Sequence, residues 1–402
     1  MIMKKCERKY IVHFGAGNIG RSLVGQVFSN ADYDVIFVDT VPEIIDALNS
    51  KGRYKVKIKD TLPSGISNER WVENVSGISA FDSEAVSTAV AGAELISTAV
   101  GANILPRILP VIAKGILKRS TPVSLLFCEN LRGVSEIAKT EIAKHLPENF
   151  DIESRIGFVT TSIGKMVPIM PNEIREKDPL EVWGEAYNQI LADKDGFVND
   201  LPEIKGLVLK NNFAAYMDRK LFIHNLGHAT SAYFGFLKNK TAIWECMEDE
   251  NIRQETKQVM QEAGRALIKH YPSEFNEKNI EEHIDDLLNR FANKLLGDTV
   301  FRVGRDLKRK LSYDDRCIGA LRLIKKYNGT PESVCKVIAA ACCFKAKDES
   351  GNMFSSDEEF QNELKEKGIK CILLEICGLD NEKYSKEIEL ITNYYNNYQQ
   401  KS

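Results

Sequence analysis

The sequence predicts an α/β N-terminal domain on a mostly parallel, doubly wound sheet, followed by a mostly α-helical C-terminal domain. Three observations predict it. The first 165 or so residues alternate short β-rich runs with helical segments. A glycine turn, Gly15-x-Gly17-x-x-Gly20, joins the first run to the first helix. From about residue 211 the periodicity becomes helical throughout. A chain of 402 residues is also too long for one hydrophobic core, and we divide it into residues 1–200 and 201–402.

The elements follow in order. YIVHF (10–14) is the first strand and leads through the glycine turn into a helix over 18–29. DVIFVD (34–39) precedes a helix over 42–50. ELISTAV (94–100) precedes one over 103–117, PVSLLFC (122–128) one over 131–145, and RIGFVTTSI (155–163) closes the series. ELISTAV and PVSLLFC are apolar nearly throughout, as strands covered on both faces must be. The stretch LADKDGFVNDLPEIKGLV (191–208) has the Gly, Pro, Asn and Asp density of a connection. Beyond it the spacing predicts helices over 212–237, 249–270, 279–292, 331–345, 356–367 and 382–397.

Composition excludes some classes of function. Net charge is −3 and charged residues make up 28%, so no global basic field attracts nucleic acid or an acidic membrane surface. No apolar run approaches the ~20 residues of a membrane span. The N-terminal MIMKKCERKY is basic with no apolar run behind it, so it does not read as a secretory signal. The nine cysteines include no CxxC pair and mostly stand singly in apolar runs. That usage predicts small hydrophobes in a reducing, cytoplasmic setting.

HFGAGNIGR (13–21) lies directly after a strand and opens a helix, the context a dinucleotide fingerprint requires. Gly15 permits the tight turn, Gly17 lets the backbone approach a pyrophosphate, and Gly20 allows close packing; the helix N-terminus then faces the phosphates. Phe14, Gly15, Ala16, Gly17, Asn18, Ile19, Gly20 and Arg21 are the candidate cofactor-binding residues of what is then a Rossmann domain. Asp39 ends the second strand, where a carboxylate accepts ribose hydroxyls and repels a 2′-phosphate. Thr40, Val41 and Pro42 after it bring no cation, so NAD is favoured over NADP. A turn kept only for packing is the bland alternative, and a flavin dinucleotide shares the fingerprint without a second supporting feature.

KLFIHNLGH (220–228) sets a lysine, two histidines and an asparagine in an apolar stretch. At 3.6 residues per turn Lys220, His224 and His228 share a helix face, with Asn225 on the same broad side. His224 and His228 have the HxxxH spacing of a zinc pair, but no HExxH glutamate and no obvious third ligand accompany them, so no metal is predicted. The histidines can also be satisfied core residues, with Lys220 reaching solvent. The chemical reading makes Lys220 a general base with a lowered pKa, taking a hydroxyl proton as hydride leaves, while an asparagine amide holds the reacting oxygen.

Lys220-x4-Asn225-x2-His228 within RKLFIHNLGHATSAYFG resembles the signature of the zinc-independent, long-chain polyol-specific dehydrogenases, the mannitol dehydrogenase family. HFGAGNIGR, VIFVD, STAVG (97–101), CENLRG (128–133), RVGR…RKLS…DR (302–316) and ICGLDNE (376–382) occur in that family's order, nearly end to end. The resemblance implies Lys220 as acid/base, Asn225 and Asn130 polarising the reacting oxygen, and His228 orienting the lysine or holding a hydroxyl. It brings Thr98 and Val100 to the cofactor, and Arg309 and Lys310, with His224, to the substrate. A guanidinium fork there suits phosphate oxygens. The implied reaction interconverts mannitol 1-phosphate and fructose 6-phosphate. The same chemistry on an unphosphorylated polyol or a hexuronate-derived sugar acid stays open, because SIGKMVP (162–168) carries Gly164 and Lys165 where the family pattern has Asp-Arg. The partner is a small sugar phosphate or polyol, and the chain is expected to act as a monomer or weak oligomer. A dinucleotide-binding sensor without turnover would not need Lys220, Asn225, His228 and Asn130 together.

Overall fold

Two compact units, Met1–Phe213 and Ala214–Ser402, make up the chain. The computed structural model describes residues 8–168 and 170–400. The basic start of the chain, read above as no secretory signal, lies largely outside the described residues. The division falls after Phe213 rather than at 200, because residues 191–208 are not a bare connection. Strands at Ile190–Asp193 and Leu207–Lys210 bracket that stretch and pair parallel with each other, so the sheet claims it.

The first unit holds eleven strands among its described residues. They are β1 Tyr10–Phe14, β2 Asp34–Asp39, β3 Arg53–Ile58, β4 Glu69–Glu73, β5 Val75–Ser79, β6 Leu95–Thr98, β7 Val123–Phe127, β8 Ile156–Ile163, β9 Val182–Gly184, β10 Ile190–Asp193 and β11 Leu207–Lys210. Eight form one sheet in the order β11-β10-β8-β7-β6-β1-β2-β5, and β3 pairs with β4 and β9 in a small second sheet. Every pairing from β5 to β8 in the large sheet is parallel, and β8–β10 is antiparallel. Order reverses beside β1, the switch point outside which such sheets bind ligands.

Strand alternation builds a core on each face. Ile11, Phe37, Leu95 and Leu126 pack with Leu23, Val27 and Phe28 of the helical segment after the glycine turn. Val12, Ile96, Leu125 and Phe127 pack with Val86, Val90, Leu109 and Ile112 from helices Ser83–Gly92 and Leu105–Leu117. β7 is buried at all five positions, Ser124 included, as its nearly all-apolar sequence predicts. Strands β3, β4, β5 and β9 were not predicted. β3 alternates cleanly, with Tyr54, Val56 and Ile58 buried, while β4 and β5 have one buried position each and β9 is three residues long.

The second unit is helical. A continuous helical run passes through Phe213–Arg219, Lys220–Asn225 and Leu226–Leu237. Helices Glu250–His270, Glu277–Phe291, Arg316–Lys326, Glu332–Cys342, Ser355–Lys367 and Ser385–Gln399 pack among and around it. Glu277–Phe291 shows how such a helix is specified. Asn276 accepts from the Asn279 N–H at its start, and Ile280, Ile284, Leu287, Leu288 and Phe291 form its buried stripe. Gly227 lets Leu226–Leu237 approach Glu250–His270, because a Cβ there would overlap Met260. Of the eight cysteines among the described residues all are free, seven of them buried. Among the described residues no helix is long and apolar enough to cross a membrane.

Candidate active site

The three glycines of the turn have three different surroundings. Gly15 sits at φ +101°, and a Cβ on it would lie 2.7 Å from the Ala99 carbonyl oxygen. Only glycine adopts that backbone without strain. Gly17 is exposed, with nothing within 4 Å of a built Cβ, so the turn is open where a pyrophosphate would approach. A Cβ on Gly20 would overlap the Gly15 carbonyl oxygen and the His13 ring, so this glycine closes the helix onto the strand. The helix it opens is π-helical over Gly20–Val24, marked by the bond from Gly25 N–H to Gly20 O.

Asp39 stands at the end of β2, and it also braces the turn. Its Oδ2 accepts from Ala16 N–H at 2.6 Å, and its Oδ1 from the amides of Thr40 (2.7 Å) and Val41 (3.1 Å). Asn18 and Ile19 are half-buried at the helix start. Arg21 is 5% exposed and donates to the Pro179 carbonyl at 2.6 Å, so its guanidinium serves the packing beneath the turn. Phe14 and Val38, at the ends of β1 and β2, line a cleft of about 360 Å³ with Ala80, Arg107, Ile108 and Val111. Ser83, Pro110 and Lys114 complete the lining, and apolar walls with two cationic side chains are what a flat heteroaromatic base would meet there.

Thr98 and Val100 are held by a residue that sequence reasoning left unassigned. Glu129, 6% exposed just past β7, accepts from Thr98 Oγ1 at 2.7 Å and from Val100 N–H at 3.0 Å. Burial pushes its carboxyl above the ordinary range, against those two bonds. Thr98 and Val100 thus spend these donors inside the unit. Glu129 fixes the loop through Gly101, at φ +87°, and carries exposed Asn130 as its neighbour. The signal was the acid of CENLRG, which follows directly on the nearly all-apolar run PVSLLFC.

In the second unit, Lys220 begins a π-helical segment, Lys220–Asn225, closed by the bond from Leu226 N–H to Leu221 O. The segment departs from the 3.6-residue spacing that the sequence implied, and such segments recur at functional sites. Lys220 is half-buried, and its pKa falls to about 8, by desolvation first and the Arg316 guanidinium second. Its charge in turn helps lower His224. Gly319 brings helix Arg316–Lys326 against the segment, since a Cβ there would lie 2.6 Å from the Phe222 ring. Arg316, 9% exposed, is held by Asp315 at 2.8 Å and reaches the Asn225 carbonyl at 3.4 Å.

The histidines form an aromatic layer. The His224 and His228 rings are 6.3 Å apart, and both meet Phe291. Desolvation leads in lowering both, His228 to about 3, so both are neutral at physiological pH. His228 Nε2 lies 3.5 Å from Asp298 Oδ2, and with a neutral ring this is a polar contact rather than an ion pair. Among the described residues no set of three His, Cys, Asp or Glu side chains is grouped to hold a metal ion.

The two cations predicted to read the substrate are differently placed. Arg309 is exposed and paired with Asp306 and Asp315. Lys310 is 5% exposed and donates to the carbonyls of Val303 (2.6 Å) and Arg305, fastening the end of helix Val300–Gly304. Burial, then the Arg316 and Arg309 charges, lower it to about 7. Lys165, one of the two departures from the family pattern, is buried with its ammonium 3.3 Å from Asn188 Oδ1. Gly164, the other, has only ordinary contacts around a built Cβ, the nearest being the Tyr187 ring at 3.6 Å.

A Rossmann unit with an open glycine turn, followed by a helical unit with a desolvated lysine, defines an oxidoreductase of the two-unit dehydrogenase class. Residues 9–206 match the family model described as the mannitol dehydrogenase Rossmann domain, and residues 212–393 match the mannitol dehydrogenase C-terminal domain. The chain belongs to the mannitol dehydrogenase family, and is by that membership a polyol dehydrogenase. Two solved structures share the fold. A D-sorbitol dehydrogenase in substrate-free form is 18% identical with a TM-score of 0.81, over 98% of this chain and 94% of that one. A Pseudomonas fluorescens mannitol 2-dehydrogenase, in ternary complex with NAD and D-mannitol, is 17% identical with a TM-score of 0.71, over 98% and 93%.

Proposed function

We propose that the chain is an NAD-dependent, mannitol-1-phosphate 5-dehydrogenase-like enzyme that interconverts mannitol 1-phosphate and fructose 6-phosphate. It would act in the cytoplasm as a monomer or weak oligomer. The observation that carries the chemistry is the Lys220 amine, drawn out of water beside Arg316 and so lowered to about 8. A base there takes the carbinol proton at neutral to mildly alkaline pH and returns it in the reverse direction. The Asn225 amide, which does not titrate, would hold the reacting oxygen. The open face at Gly17, the Asp39 carboxylate and the cleft beside Phe14 fit an NAD molecule's pyrophosphate, ribose and adenine. Bound NAD supplies the hydride acceptor. The solved P. fluorescens relative with NAD supports that choice.

For the phosphate, the support is the exposed Arg309 fork. A second reading, an unphosphorylated polyol or a hexuronate-derived acid, is favoured by Lys310, whose ammonium is occupied by two carbonyls and leaves Arg309 with less help. NADH oxidation with fructose 6-phosphate, fructose, tagaturonate and fructuronate in parallel separates the two. Fast turnover confined to fructose 6-phosphate supports the first reading; turnover confined to another ketose replaces it with the second. Turnover with none of the four removes both. Gly164→Asp, which the local space admits, then tests whether the missing acid sets the preference.

A further inference from the structure

His228 is gripped from two directions. Its ring stacks on Phe291, with centroids 4.7 Å apart and planes 8° apart, which fixes the plane of the imidazole. Its Nε2 lies 3.5 Å from Asp298 Oδ2. That is longer than a made hydrogen bond, but such contacts in substrate-free sites commonly tighten in the working complex. Asp298 is itself anchored. It is 9% exposed, its Oδ1 accepts from the Arg302 guanidinium, and its carbonyl accepts from Ile243 N–H at 2.9 Å. The next residue, Thr299, bridges to Ala242.

The other groups acting on His228 from the elements around it are the cations Lys310, Arg302, Arg316 and Arg290, and His224 lies beside it. A second positive charge is unwelcome there, so one ring nitrogen carries a proton and the other carries a lone pair. Which is which depends on the hydrogen bond the ring makes. Asp298 is the one carboxylate among these partners, and it faces Nε2.

We propose that Asp298 is a positioning residue: it keeps the His228 proton on Nε2 and so presents the Nδ1 lone pair as an acceptor to a substrate hydroxyl or to the Lys220 ammonium. This rests on the dehydrogenase reading above. The carboxylate does not take the proton; it selects the tautomer, and Arg302 keeps it aimed. Gly297 just before it, at φ +66°, and the Ala242–Thr299 bridge fix the backbone from which it projects.

Asp298→Asn is the test, because the two sides of the carboxylate have different neighbours. Arg302 can only donate, so the amide oxygen stays with it and the amide nitrogen turns to His228. That nitrogen also donates, so Nε2 must accept and the ring proton must move to Nδ1. The long-range ¹H–¹⁵N spectrum of histidine-labelled protein reads this directly, with His228 assigned by its loss in His228→Gln. The expected result is an Nε2–H pattern in the parent protein and an Nδ1–H pattern in the variant. With it, kcat for ketose reduction falls on the order of 100-fold, the usual worth of a positioned acid–base group, while NADH affinity and Tm hold. The same tautomer in both proteins, or a kcat within about twofold, overturns the proposal. Lys220→Ala is assayed alongside. If it keeps its activity, the Lys220 acid/base assignment fails, and the spectrum alone then decides for or against the role of Asp298.

Discussion

The glycine turn and the lysine helix each contain a π-helical segment, Gly20–Val24 and Lys220–Asn225, yet they are made of opposite materials. The turn works by what is absent. Three missing side chains give it its φ, its open face and its close packing, and all but Asp39 come from one contiguous stretch. The lysine helix works by what is buried. Lys220, His224 and His228 owe their altered titration to desolvation and to Arg316, Arg290 and Lys310, which are distant in sequence. A site made of backbone is local, and at Gly15 and Gly20 it leaves no room for an added atom. A site made of side chains is assembled from afar, and its chemistry depends on charge more than on shape.

That contrast can be broken at its strongest point with Lys220→Ala. The variant is expected to lose turnover by on the order of 10²- to 10⁴-fold, with NADH affinity unchanged. Fluorescence titration beside a steady-state assay checks it, and a parallel loss of NADH binding would erase the division of labour. Next in size is the turn itself. Gly20→Ala must displace the Gly15 carbonyl or the His13 ring, which costs about 1–3 kcal/mol of stability and abolishes tight NADH binding. Gly17→Ala meets nothing in the fold, so it should leave Tm unchanged and weaken NADH alone. Equal melting shifts for the two would contradict the assigned roles.

Glu129→Ala comes third. It leaves the Thr98 hydroxyl and Val100 N–H without their buried acceptor, costing about 1–3 kcal/mol. NADH affinity should drop about tenfold as the loop loosens, and Glu129→Gln should recover most of it. Smallest is Arg309→Ala, a several-fold rise in KM for fructose 6-phosphate with none for fructose. An equal rise for both removes the phosphate-reading role.

The same contrast explains what the sequence revealed. Gly15, Gly20 and Asp39 were readable as parts of a turn because their spacing sets its backbone: the positive φ at Gly15, the close approach at Gly20 and the Asp39 bond to Ala16 N–H. The central strands were readable from nearly unbroken apolar runs; β3, RYKVKI, alternates cleanly and was passed over, whereas β5 has one buried position and β9 only three residues. Helix Arg316–Lys326 was not predicted: its run CIGALRLI is buried at seven of eight positions and so shows no polar face to mark a helical period. Lys220 was legible as an oddity in an apolar stretch, but its π-helical setting was not, since no residue pattern marks a change from i→i+4 to i→i+5 bonding. Lys310 looked like a partner for phosphate, and only the fold reveals the carbonyls of Val303 and Arg305 that hold it. Glu129 and Asp298 were passed over because a buried carboxylate is defined by its neighbours.

The central claim is that Lys220 is the proton acceptor, tuned by burial. Because its pKa in the folded protein is lowered to about 8, the neutral amine becomes available as pH rises through that value, and the protonated amine is lost over the same range. The most direct test is the single-turnover rate of hydride transfer from polyol to NAD across roughly pH 6 to 10, in the parent protein and in Lys220→Ala. The account predicts a rate that climbs to a plateau with a midpoint near 8 and a mirror-image fall for ketose reduction, both absent from the variant. A parent rate that is flat across this range, or a midpoint that survives in Lys220→Ala, would contradict it.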